Sequence, residues 1–129
     1  MDRDDYNYLS GKIIEAAIEV HRELGAGLLE SVYEHCLVSE LRDRGFKVLS
    51  QVKLPVYYKG KKLNKEFFID ILVEDAIIVE LKCVEALSAV HEVQLLTYLK
   101  LADKKLGLLL NFNVAVMKEG IKRKVNGYL

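Results

Sequence analysis

The sequence holds one proline, Pro55, and only two cysteines, Cys36 and Cys83, in 129 residues. Two thiols cannot supply the four ligands of an iron–sulfur cluster or of a structural zinc site. They lie far apart within apolar runs, as buried free thiols of a reducing compartment do. No apolar run approaches the roughly 20 residues that a membrane span needs. The acidic start, Met1-Asp2-Arg3-Asp4-Asp5, lacks the charged-then-apolar order of a signal peptide. The expected location is therefore the cytoplasm. Linker-like, repetitive and low-complexity stretches are missing too, so residues 1–129 read as a single domain. No Gly-rich phosphate loop opens a helix, and no Ser-His-Asp setting is present.

Net charge is also lacking. Nineteen Lys and Arg balance nineteen Asp and Glu, which argues against a strong, sequence-independent polyanion binder. Local charge is less even. Lys59, Lys61, Lys62 and Lys65 form one cluster, and Lys118, Lys122, Arg123 and Lys124 another. Each cluster alone reads first as a solvated hairpin or tail.

Hydrophobic residues make up 51% of the chain, enough for a proper core. Leu9, Ile13, Ala17, Val20 and Leu24 recur at helical spacing, which predicts a helix over about 6–24. A second helix is predicted over about 29–44, with Leu29, Val32, Tyr33, Cys36, Leu37 and Leu41 as its stripe. Strand patterns come next at 46–52 and 54–58, with Pro55 marking an edge or a bulge. Further strands are predicted at 66–73 and 77–84, separated by Glu74-Asp75-Ala76. Ser88 caps a third helix that runs to about Ala102. The apolar run 106–112 suits a strand covered on both faces. Segments 114–117 and 121–125 are predicted to form a last hairpin. This order implies an α/β fold, a mixed central sheet flanked by helices, with the strands at 77–84 and 106–112 parallel.

Charge interrupts two of these apolar strands. Asp70 is the one charge in Phe67–Val73, and Glu80 and Lys82 interrupt Ile77–Val84. Burying a charge is costly unless it is paired or binds a metal. Glu80 and Lys82 are two apart, so they share a face. A three-residue loop at 74–76 would set Asp70 opposite Glu80, with Cβ atoms about 5 Å apart. Carboxylates that close repel each other unless a cation lies between them. A hard divalent ion would satisfy them, with Lys82 beside it to orient a water and offset phosphate charge. A two-residue loop would turn Asp70 to the opposite face. The plainer alternative is an exposed Glu80–Lys82 ion pair with Asp70 nearby.

Asp70 followed by Glu80-Leu81-Lys82 resembles the signature of the PD-(D/E)XK nucleases, with Ile69 where proline is usual. Gly27-Leu28-Leu29-Glu30-Ser31-Val32-Tyr33 is similar to the GxxExxY motif of a family of small prokaryotic proteins in that superfamily. His21–Gly25 and Val90–Leu96 resemble the same family, so the likeness covers nearly the whole chain. It implies a restriction-endonuclease-like core and a Mg²⁺ or Mn²⁺ site. Asp70, Glu80 and the Leu81 carbonyl would be ligands. A helix glutamate commonly completes such sites. Glu30 and Glu34 share a face with Leu37 and Leu41, and either would serve. Gln94 and Tyr98, four apart with His91 one turn earlier, resemble the QxxxY motif of RecB-type nucleases. An amide and a phenol suit hydrogen bonds to phosphate or base edges. His21 reads as a packed or surface histidine rather than a ligand.

Two functions remain open. One is metal-dependent hydrolysis of nucleic-acid phosphodiesters, DNA before RNA, with Asp70, Glu80, Lys82, Gln94 and Tyr98 as the working residues. The other is a binding or assembly module that keeps the fold and cuts nothing. A homodimer would let so small a domain span a duplex.

Overall fold

The computed structural model describes all 129 residues. Helices α1 (Arg3–Leu24) and α2 (Glu30–Asp43) precede strands β1 (Val48–Tyr58), β2 (Lys61–Val73) and β3 (Ile77–Lys82). Helix α3 (Ala89–Ala102) leads into β4 (Leu106–Asn111), and β5 (Ile121–Val125) comes after a single 3-10 turn. The strands form one mixed sheet in the order β1-β2-β3-β4-β5. Only β3 and β4 are parallel, and α3 connects them.

Local chemistry sets the helix ends. Asp2 and Asp5 exchange side-chain and backbone hydrogen bonds at the start of α1, a reciprocal cap. Gly25, at φ 72°, turns the chain out of that helix. At α3 the Ser88 N–H donates to His91 Nδ1, so His91 serves as a cap.

Helices cover both faces of the sheet. α1 and α2 bury Ile13, Ala17, Tyr33, Leu37 and Leu41 against Ile71, Val79, Leu81 and Leu108. α3 buries Leu95 and Leu99 against Leu54, Ile69, Leu72, Ile78 and Leu109 on the other side. β3 and β4 are therefore apolar on both faces, as central strands must be.

Four expectations need correction. The strands predicted at 46–52 and 54–58 are one strand, β1, and the register shift between Pro55 and Tyr57 is a bulge within it. Leu29 and Val32 are exposed, because the first turn of α2 stands clear of the sheet and packing begins at Tyr33. Cys36 and Cys83 are free but half-buried. Residues 114–117 do not pair with 121–125; β5 adds to the open edge of β4, from Leu106↔Val125 to Leu110↔Ile121. The Val114 carbonyl instead accepts from His21 Nε2 at 2.8 Å, which makes His21 a packed core group. Gly120 sits against the Asn111 carbonyl, where a Cβ would stand only 2.2 Å from the oxygen.

Candidate active site

The β2–β3 turn sets the register that brings the charged residues together. Glu74 and Asp75 both take left-handed backbone, φ 52° and 53°, a conformation that costs a non-glycine residue about 1 kcal/mol. Tertiary bonds hold them there. Lys47 N–H donates to the Glu74 carboxylate, Glu74 N–H to the Lys47 carbonyl, and Lys104 pairs with Asp75 at 3.2 Å. Val73 consequently faces Ile77, and Ile71 faces Val79, the register of a three-residue loop.

Beyond Ile71 and Val79 the two strands part. Asp70 and Glu80 stand at the split, and each takes a hydrogen bond from the other's strand. Asp70 N–H donates to Glu80 Oε2 at 3.1 Å, and Leu81 N–H donates to Asp70 Oδ2 at 2.9 Å. Side chains thus replace the ladder bonds that end here. β2 also rolls over at this point. Ile71 packs under α1 and α2, whereas Ile69, two residues earlier, packs under α3. Residues two apart in a regular strand share a face. On the β1 side Gln51 lies between the pairs Ser50↔Ile71 and Val52↔Ile69, at φ 52°.

Asp70 is the electrostatic hub. Burial pushes the Glu80 carboxyl up to about 9, and the Asp70 carboxylate beside it adds to the rise. Glu80 therefore holds a proton at neutral pH. Glu30 and Glu34, on the first two turns of α2, are both raised, by burial first and by Asp70 second. The Tyr98 phenol is raised by burial, then by Glu80 and Asp70. Gln51 Nε2 donates to Glu34 Oε1 at 2.9 Å and to Asp70 Oδ1 at 3.4 Å, bridging helix and strand.

Lys82 is half-buried and near enough to Glu30 and Glu80 to favour their charged forms. It forms no ion pair within 4 Å, so the exposed Glu80–Lys82 pair of the plainer alternative is not what this sheet contains. Its backbone is held firmly. Phe112 N–H donates to the Lys82 carbonyl at 3.0 Å. The buried Asn111 side chain exchanges hydrogen bonds with the Val84 backbone at 2.9 and 3.1 Å. On α3, Gln94 donates to the Tyr98 hydroxyl at 3.4 Å. Tyr98 is the member of that pair near the carboxylates; Gln94 is exposed and reaches the cluster through it. His91 is occupied by the Ser88 cap.

The segment before α2 explains its own spacing. Gly27 adopts φ 94°, which a side chain would resist. Glu30 opens the helix within electrostatic reach of Asp70 and Lys82. Tyr33 is buried and stacked on Phe112, with ring centroids 4.6 Å apart. Its hydroxyl donates to the Gly25 carbonyl at 2.5 Å and accepts from Leu28 N–H at 3.2 Å. That side chain clamps the loop that delivers Glu30.

Sequence reasoning misses two residues. Asn111 has a signal, the lone polar side chain in Leu106–Phe112. Gln51 has none, because its role depends on a backbone conformation that no neighbouring residue demands.

The donor set is all oxygen: Asp70, Glu80, Glu30 and Glu34 supply carboxyl groups, and Lys82 is close enough to Glu30 and Glu80 to favour their charged forms. A hard divalent cation fits that chemistry and that charge. The groups do not close into a cage, however: no three His, Cys, Asp or Glu side chains are arranged to hold an ion. Asp70 and Glu80 spend oxygens on backbone N–H groups instead.

A mixed sheet that splits around two carboxylates with a lysine alongside is a plan suited to metal-assisted hydrolysis. The chain belongs to the PD-(D/E)XK nuclease superfamily, which it matches over residues 7–124. Enzymes of that superfamily generally use divalent metals. No curated protein and no solved structure matches the chain. No helix is long and apolar enough to cross a membrane.

Proposed function

We propose that this chain is a divalent-metal-dependent phosphodiesterase acting on nucleic acid, DNA before RNA. The observation that carries the reading is the meeting of Asp70 and Glu80 at the split between β2 and β3, with Lys82 two residues beyond Glu80. A Mg²⁺ or Mn²⁺ ion would be held by Asp70, Glu80 and the Leu81 carbonyl with Glu30 or Glu34, and when bound would neutralise phosphate charge and acidify a water.

The chain's own groups supply the rest. Glu80 must release its proton to act as a ligand, and Lys82 is the nearby cation that favours that release. The Lys82 ammonium then orients the attacking water and offsets charge on the phosphate. Tyr98, with Gln94 behind it, offers donors to phosphate oxygens. Gln51 keeps Glu34 and Asp70 in register. The resemblance to the GxxExxY family is part of this proposal. Gly27, Glu30 and Tyr33 act as one device that presents a carboxylate to the site.

The test is cleavage of varied DNA and RNA substrates in Mg²⁺ or Mn²⁺, beside Lys82→Ala. Cleavage that survives the substitution would remove the mechanism. A twofold pair would let two shallow sites address both strands of a duplex, and light scattering reads that pair.

One observation favours a second reading. Asp70 and Glu80 are already satisfied by backbone N–H groups, so they can serve as plugs in a split sheet. A binding or assembly module would need no more. No heat with millimolar Mn²⁺, together with no cleavage, would select that reading.

A further inference from the structure

The hairpin of β1 and β2 outgrows the sheet. Pairing between β2 and β3 ends at Ile71↔Val79, whereas β1 and β2 continue together to Tyr58↔Lys61. Past Asp70 the chain is a two-stranded ribbon. Its base is anchored under α3 by Leu54 and Ile69, and Phe67 meets the Tyr98 ring edge-on at 6.5 Å. Its outer part stands in solvent, with Tyr57 and Tyr58 about 60% exposed.

The ribbon has the charge that the whole chain lacks. Residues 53–66 carry five lysines and one carboxylate, Glu66, in a chain of zero net charge. Glu66 pairs with Lys53 at 3.3 Å. Lys59, Lys61, Lys62 and Lys65 have no acidic partner; Lys59 lies over the Tyr58 ring at 5.4 Å. Four free ammonium groups along open strand edges oppose pairing with a second copy of the same ribbon. They complement a polyanion. A two-stranded β-ribbon also fits the major groove of a double helix, about 12 Å wide.

We propose that the β1–β2 ribbon is a duplex-gripping arm that lies in a groove of double-stranded nucleic acid, with Lys59, Lys61, Lys62 and Lys65 on its phosphates. The proposal rests on the phosphodiesterase reading and gives that site its substrate form. The geometry sets a length. Nine residues separate Asp70 from Lys61, about 30 Å at most for extended chain. That is about nine base pairs at about 3.4 Å each. The arm therefore grips the duplex several base pairs from the carboxylates, and the aromatic contact of Phe67 with Tyr98 joins the two.

The experiment measures binding apart from cleavage. A fluorescent 30-base-pair duplex is titrated in EDTA, across a range of salt, with the full chain. The comparison is with a variant carrying Lys59→Gln, Lys61→Gln, Lys62→Gln and Lys65→Gln. The expected result is at least tenfold weaker binding and a salt-dependence slope smaller by about 3.5. A six-base-pair duplex should not distinguish the two proteins, and arginine at the same four positions should restore binding. Unchanged affinity and slope on the long duplex would overturn the arm. So would equal losses on the short one, failure of the arginine protein to bind, or no duplex binding by the unaltered chain. Cleavage in Mn²⁺ is scored separately. Arm-dependent binding without cleavage sinks the phosphodiesterase reading and leaves the arm; cleavage with arm-independent binding does the reverse.

Discussion

The two halves of β2 share one backbone and almost nothing else. From Ile71 to Val73 the strand is buried on both faces, paired on both edges and apolar. From Lys61 to Phe68 it is exposed, paired on one edge only and rich in lysine. Asp70 is the boundary, where the third strand departs and the backbone rolls from one core to the other. The inner half holds the fold. The outer half contributes little to stability and is free to meet a ligand. A carboxylate at the junction is rigid on one side and accessible on the other, which is what a preorganised site needs.

The largest expected effect lies at the junction. Lys82→Ala should lower cleavage at least about 1,000-fold, about 4 kcal/mol of barrier. The melting temperature should hardly move, because Lys82 makes no ion pair. A large loss of stability would instead make Lys82 a structural residue.

Next comes the contrast between the halves themselves. Ile71→Ala, in the fully buried inner half, should cost about 3 kcal/mol by urea unfolding. Phe68→Ala, in the outer half, should cost less than about 1 kcal/mol, because the ring is already 38% exposed. Equal losses would show that the ribbon is packed after all.

A smaller effect tests the junction without any substrate. Glu80 is raised from 4.5 to about 9 in the folded chain. The proton-bearing form thus favours folding. Its contribution is fully present below about pH 4.5 and is lost as pH rises toward 9. Metal-free protein should therefore lose stability across that window. Glu80→Gln, which keeps an acceptor for Asp70 N–H, should flatten the dependence and leave the protein more stable than the unaltered chain at pH 8. An unchanged pH profile would mean that Glu80 is already ionised. The smallest effect belongs to the exposed ribbon: Lys65→Gln should change stability by less than about 0.5 kcal/mol.

Much of the fold and the site is legible in the residues. Asp70, Glu80 and Lys82 stand out because charge interrupts apolar strands, and the alternation of side chains places Glu80 and Lys82 together. The helix caps are legible at Ser88 and Gly25. The failures share a cause. Leu29 and Val32 fit a helical stripe, but periodicity does not say where the sheet beneath a helix ends. Local pattern pairs segment 121–125 with its sequence neighbour, because it cannot reveal the open edge of β4. The length of the ribbon is hidden likewise: Lys61–Lys65 is too polar to look like strand, and it is drawn into one by the pairing of Lys61 and Lys62 with Tyr58 and Tyr57 and of Glu66 with Pro55. Gln51 lies furthest from view, since its left-handed backbone comes from the roll of the sheet around it.

Glu80 can serve as a ligand in a metal centre only if a divalent ion displaces its proton. Calorimetric titration with Mn²⁺ at pH 7, repeated in two buffers of different ionisation enthalpy, counts that proton directly. The expected result is binding with close to one proton released, and loss of both the heat and the proton in Asp70→Asn. Absence of binding at millimolar Mn²⁺, or binding that releases no proton and survives Asp70→Asn, would contradict it.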